Sequence, residues 1–217
     1  MKLYGFWRSL ASYRVRVALA LKGLQAEEIS IDLLKGGQSS PDYLAVNPQG
    51  VVPALILDDG GPPLFQSLAI LEYLEETRPQ PALLPRDARG RARVRGLALI
   101  AAADGHPLVV PRVRSYLEKE MKQDEAARNR WLGHWSMRAL EAIEAHLSKE
   151  KETGRFCHGN TPTLADICLA SQMIGALAYF NCDTATVPAA MRIYSQCMEI
   201  DAFAKAHPLK QPGAKPH

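Results

Sequence analysis

A large charge of one sign is the first thing missing from this sequence. Its 217 residues carry 26 Lys and Arg against 23 Asp and Glu, a net charge of +3 at pH 7, and outside the short stretch RDARGRARVR the two signs are interspersed. A nucleic-acid binder gathers positive charge on one face and adds a reading motif. Helix-turn-helix spacing and an aromatic RNP-like strand are both absent, so no nucleic-acid partner is expected. Long apolar runs are missing too. The longest nearly apolar one, LALIAAA at residues 97–103, is far short of the roughly 20 residues that cross a bilayer. The start, MKLYGFWRS, has neither the apolar stretch nor the small-residue cleavage site of a secretory signal. A cytoplasmic protein with no membrane partner is the expectation. Cysteine is scarce: Cys157, Cys168, Cys182 and Cys197 form no CxxC pair, and a chain of this length needs no disulfide staples. They read as free, mostly buried thiols. Cys157 beside His158 lacks the spacing of a metal site, and no metal is expected.

What is present is apolar material, 47% of the residues against 23% charged, enough for one large domain or two small ones. A loose segment is expected only in the tail KQPGAKPH, where Pro212 and Pro216 interrupt a polar run. Residues 1–80 read as mixed α/β. KLYGF is a strand, followed by a helix from about Ser12 to Lys22 that Gly23 ends. EEISI is a second strand, one helical turn is expected around Tyr43, and VPALIL and PPLFQ are two more strands joined through an Asp-Gly turn. SLAILEYLEET is a helix for which Ser67 can serve as N-cap. Prolines crowd residues 81–87, which read as a linker. From residue 88 to 217 the pattern turns to long segments of period 3.6 without strands. The expected architecture is a small α/β domain followed by an all-helical one. Thr163 and Asp166 in TPTLADICLA have the spacing of a capping box, a structural rather than a chemical role.

The junction FWRSLASYRVRVAL raises the question of chemistry. Ser9 follows the first strand and precedes the first helix, and in an open α/β sheet ligands bind at that edge. The free amides of a helix start favour an anion by about 0.3 to 1 kcal/mol, and the Ser9 hydroxyl adds one donor. Such a place suits a thiolate, a diffuse anion that water protonates at neutral pH. The other reading of Ser9 is a plain helix cap. In NPQGVVPAL, Pro53 opens the third strand and suits a cis bond, which turns the Val52 N–H and C=O toward a peptide-like ligand. Gln66 and Ser67 occupy another strand-to-helix junction, where amides can clamp a carboxylate.

VPAL, QSLAILEYLEE and TLADICLA resemble the pattern of the soluble glutathione transferases, and FWRSLASYRVRVALALKG, RPQPALLP and DGHPLVVPR resemble the zeta class, the maleylacetoacetate and maleylpyruvate isomerase type. The likeness spans essentially residues 1–212. It implies a thioredoxin-like domain that holds glutathione as cofactor and a helical domain that covers a small electrophilic, carboxylate-bearing substrate. By the same resemblance, Ser9 contacts the glutathione sulfur, Val52 pairs with the cysteinyl backbone before cis-Pro53, and Gln66 and Ser67 hold the γ-glutamyl end. Arg8 and Arg112 meet the carboxylates of the second substrate, and His106 lies near that pocket. The implied reaction is cis–trans isomerisation by reversible thiolate addition to an activated double bond, in a homodimer. Departures from the pattern are Leu10 and Ala11 in place of a serine and a cysteine, Val109 and Val110 in place of an asparagine pair, and Leu177, Ala178 and Tyr179 where the class has an arginine. A more apolar pocket keeps two alternatives open: conjugation or dehalogenation of an apolar electrophile, and a glutathione-binding module without turnover.

Overall fold

Side chains along Lys2–Gly5 (β1) alternate between the two faces of the sheet, with Leu3 buried in the core. In the computed structural model, which describes residues 1–215, β1 pairs in parallel with Glu27–Ser30 (β2) and antiparallel with Ala54–Ile56 (β3), which pairs antiparallel with Leu64–Phe65 (β4). The sheet order is β2-β1-β3-β4. Parallel neighbours need a crossover, and Leu10–Leu21 (α1) supplies it. The helix starts two residues before the expected Ser12, because Ser9 caps it. A short helix, Pro41–Val46 (α2), follows in the polar loop, with Ser40 as its cap. Ser67–Thr77 (α3) packs against α1.

The second half is helical: Ala88–Leu99 (α4), Pro111–Lys119 (α5), Glu125–Leu147 (α6), Leu164–Ile174 (α7) and Pro188–Met198 (α8). Every residue of α7 is buried, as its apolar sequence requires, and it packs against α4, α6 and α8. Its capping box forms. Asp166 accepts the Thr163 N–H at 2.8 Å, the Thr163 hydroxyl at 2.7 Å and the Cys157 N–H at 2.7 Å. Asp201–Ala206 (α9) is followed by a 3-10 turn, Pro208–Lys210. Two segments expected to be α-helical end in π-turns instead, Ile100–Gly105 after α4 and Gly175–Tyr179 after α7. All four cysteines are free thiols, three of them buried. Among the described residues no helix is long and apolar enough to cross a membrane.

The chain divides into two compact units, Met1–Leu83 with the segment from Asp201 onward, and Leu84–Ile200. The break falls within residues 81–87, but the assignment of everything from 88 to 217 to the helical domain needs correction. Helix α9 packs on α1, and Ala214 packs against a cluster of Phe6, Trp7, Tyr43 and Val52, so the last segment belongs with the sheet. Part of the tail expected to be loose is thereby seated; Pro216 lies outside the described residues.

Candidate functional site

Strand register decides which candidate residues meet. Tyr4 on β1 stands opposite Ala54 on β3, and Ala54 opposite Phe65 on β4. The end of β1 that leads to Ser9, the start of β3 that follows Val52 and Pro53, and the end of β4 that leads to Gln66 and Ser67 therefore share one end of the sheet.

Ser9 is half-buried in extended backbone (φ −71°, ψ 119°), and its Oγ accepts the Ser12 N–H at 3.1 Å. Capping does not use up the hydroxyl. An oxygen that accepts a backbone N–H keeps its own proton for a further acceptor and is polarised as a donor. The cap and the sulfur donor are thus compatible in one side chain. Leu10 and Ala11, which stand where the class pattern has a serine and a cysteine, are buried. Ser9 is the partly exposed hydroxyl of this turn, since Ser12 is buried.

The Val52–Pro53 bond is cis. Because the ladder begins at Ala54, the Val52 N–H and C=O lie outside it. Upstream, the Val51 carbonyl accepts the Tyr43 hydroxyl at 2.6 Å and the Asn47 side-chain amide at 2.7 Å. Burial pushes the Tyr43 phenol up to about 12, so it remains a proton donor across the working pH range. Tyr43 and Asn47 hold this segment, and neither was singled out from the sequence.

Gln66, rather than Ser67, is the N-cap of α3; Ser67 is the first helical residue and is buried. The correction has a backbone cause: Gln66 takes φ +66°, a left-handed value outside the helix. Its side-chain amide donates to the Gln49 Oε1 at 2.7 Å. The first amides of α3 have no partners within the helix and favour an anion. Gln38, whose backbone oxygen would lie 3.3 Å from a Cβ at Gly50, has a buried Oε1 with no partner among the described residues. A buried acceptor without a partner calls for a donor. A peptide carrying N–H groups, a carboxylate and a thiol fits this donor and acceptor set.

In the helical unit, His106 directly follows the π-turn Ile100–Gly105. Gly105 is required there, since a Cβ would lie 2.6 Å from the Ala139 Cβ on α6. The Gln172 side-chain amide donates to the Ser136 Oγ at 3.1 Å and braces the same region. π-Turns are frequent at functional sites. Arg112 is exposed in the first turn of α5, a helix whose N-cap, Val110, offers no side-chain acceptor. A cation at a helix N-terminus opposes the macrodipole, so helix stability does not explain Arg112. Val109, expected to line an apolar pocket with Val110 and Leu177, is 4% exposed and packs inside the unit, whereas Leu177 is 38% exposed in the second π-turn. Arg8 is half-buried in the turn before Ser9. No group of His, Cys, Asp and Glu suited to a metal ion occurs among the described residues.

The fold and this sheet end define a glutathione transferase class of protein, and residues 1–76 match the glutathione S-transferase N-terminal domain family. The chain is 46% identical over 212 residues to the maleylpyruvate isomerase of a Ralstonia species, covering 98% of this chain and 99% of that one. It is 44% identical to the maleylacetoacetate isomerase of Rhizobium meliloti, over 95% of each chain. A solved structure of maleylacetoacetate isomerase from Methylobacterium extorquens AM1, with malonate and GSH bound, superposes with a TM-score of 0.96 at 50% identity, covering 99% of this chain and 100% of that one. The chain belongs to the zeta-class glutathione transferase family of maleylacetoacetate and maleylpyruvate isomerases.

Proposed function

We propose that this protein is a glutathione-dependent cis–trans isomerase of the maleylacetoacetate or maleylpyruvate type. The observation that carries the reading is the register that puts the Ser9 hydroxyl, the Val52 backbone and the α3 N-terminus at one sheet end. Bound glutathione supplies a soft sulfur nucleophile that adds reversibly to the activated double bond of a cis-enedione acid, so that the bond can rotate.

The chain's own residues do the rest. Ser9 donates to the sulfur and favours its anionic form. Val52 offers one N–H and one C=O for strand-like pairing with the cysteinyl residue. Gln66 and the Ser67 amide hold the γ-glutamyl carboxylate. By the class resemblance, Arg112 at the uncapped start of α5 and His106 in the helical unit, and Arg8 beside Ser9 in the sheet unit, are the residues assigned to the carboxylate-bearing substrate. As the sulfur adds, the electron pair of the C=C bond moves onto the conjugated ketone oxygen as an enolate, which donors already oriented for it stabilise, and it returns to re-form the double bond when the sulfur leaves. The protein works in the cytoplasm as a homodimer.

Purified protein is expected to isomerise maleylpyruvate or maleylacetoacetate with glutathione and not without it. Turnover of aryl halides in place of both acids would favour conjugation instead, the reading supported by exposed Leu177. Tight glutathione binding without any turnover would leave a binding module.

A further inference from the structure

Ser9, Ser12 and Arg16 follow one another at intervals of three and four, which sets them on one face of α1. That face holds the turn before the helix. The Phe6 carbonyl accepts the Ser9 N–H at 3.0 Å, the Ser9 Oγ accepts the Ser12 N–H at 3.1 Å, and the Ser12 Oγ accepts the Phe6 N–H at 3.3 Å. These three hydrogen bonds form a closed circuit. Arg16 clamps it from below, since its Nη2 donates to the same Phe6 carbonyl at 2.9 Å.

The guanidinium is itself fixed. Glu28 on β2 takes Arg16 Nε at 2.9 Å and Nη2 at 2.7 Å, and Arg16 is 8% exposed. A planar fork fits these two acceptors at once, which a lysine cannot reproduce. Gly5 makes room for the arrangement, because a Cβ there would lie 2.9 Å from Glu28 Oε1 and 3.3 Å from Ser12 Oγ. Arg16 Nη1 is buried with no partner among the described residues. The side chain is therefore placed for Glu28 and the Phe6 carbonyl, not for satisfaction of every donor.

We propose that Arg16, held by Glu28, is a positioning residue that fixes the Phe6–Ser9 turn and so presents the Ser9 hydroxyl in one direction, without touching the sulfur. The inference rests on the assignment of Ser9 as the sulfur's donor. A second buried pair in the same unit supplies a control: Lys22 Nζ lies 2.6 Å from Glu75 Oε2 and 2.7 Å from the Pro81 carbonyl, away from the turn.

The test is a titration of the bound glutathione thiol through its ultraviolet thiolate absorbance, without second substrate, in wild type, Ser9→Ala, Arg16→Lys, Ser12→Ala and Lys22→Met. Ser9→Ala should move the midpoint toward that of free glutathione. Arg16→Lys and Ser12→Ala should raise it by about one pH unit, with the glutathione Kd changed by less than about threefold and kcat lowered on the order of tenfold. Lys22→Met should melt at a lower temperature and titrate as wild type. If Arg16→Lys fails to fold, Ser12→Ala and Glu28→Gln carry the same test. Wild-type midpoints in these turn variants, alongside a shifted Ser9→Ala, would overturn the Arg16 role and leave Ser9 standing. A shift in Lys22→Met as large as that in Arg16→Lys would overturn it as well, by showing a general loosening. An unshifted Ser9→Ala would overturn the Ser9 assignment and with it this proposal.

Discussion

In the proposed site Ser9 combines two tasks, helix cap and sulfur donor, because an accepting oxygen and a donating proton are separate resources of one hydroxyl. Ser9→Ala removes both. A hydrogen bond to a charged group contributes about 1.5–3 kcal/mol, so isomerisation should fall on the order of tenfold to a hundredfold while glutathione still binds, as measured by steady-state kinetics and calorimetry. Asp166 is a residue of the opposite kind, buried far from any exposed chemistry and accepting from three donors. Asp166→Ala leaves buried N–H groups unpaired, a loss on the order of 3 kcal/mol, which calorimetry should show as a melting point lower by about 10 °C. Both residues were legible in the sequence, because a serine at a strand-to-helix junction and a Thr-x-x-Asp before an apolar run each have a local signature. Tyr43 and Asn47 were not. Their bonds to the Val51 carbonyl depend on how the loop folds back, which no spacing encodes.

Elements show the same division. The helix SLAILEYLEET is found over its full length, Ser67–Thr77, since its period and its flanks agree. The π-turns after α4 and α7 escape notice because IAAADG and GALAY satisfy an α-helical pattern equally well; both pack against α6 and α7, contacts that a local pattern does not encode. The C-terminal segment carries a pH dependence of its own. His207 Nδ1 accepts the Leu209 N–H at 3.2 Å and so caps the turn Pro208–Lys210. Burial lowers its pKa from the usual value, with Lys210 adding to the effect. The unfolded chain therefore binds the proton more readily. The contribution of neutral His207 is complete above a pH of about 6.5 and is lost as pH falls below it. The amide protection factors of the non-proline residues in 209–215, corrected for the slower intrinsic exchange at low pH, should fall between pH 7 and 5, and His207→Asn, which caps without titrating, should abolish the change. Equal acid sensitivity in that variant would show that another group is responsible.

At the scale of the whole molecule, the α/β half and the helical half were legible from the change in periodicity, but the return of residues 201–215 to the sheet was not. A helix as short as Asp201–Ala206 has no signature of which core it joins. Gly96 lies inside α4, where glycine costs about 1 kcal/mol relative to alanine, yet a Cβ there would meet nothing within 4 Å. Beside it Leu99 is 47% exposed. If the proposed homodimer forms through this face of α4, Gly96→Glu should give folded monomers in sedimentation analysis. An unchanged dimer would place the contact elsewhere. If one end of the four-stranded sheet holds glutathione with its sulfur at Ser9, a crystal structure of the glutathione complex will show it. The sulfur should lie within hydrogen-bonding distance of Ser9 Oγ, the cysteinyl backbone should pair with Val52, and the γ-glutamyl carboxylate should meet the start of α3. A tripeptide bound elsewhere, or a sulfur with Ser9 turned away from it, would overturn this assignment.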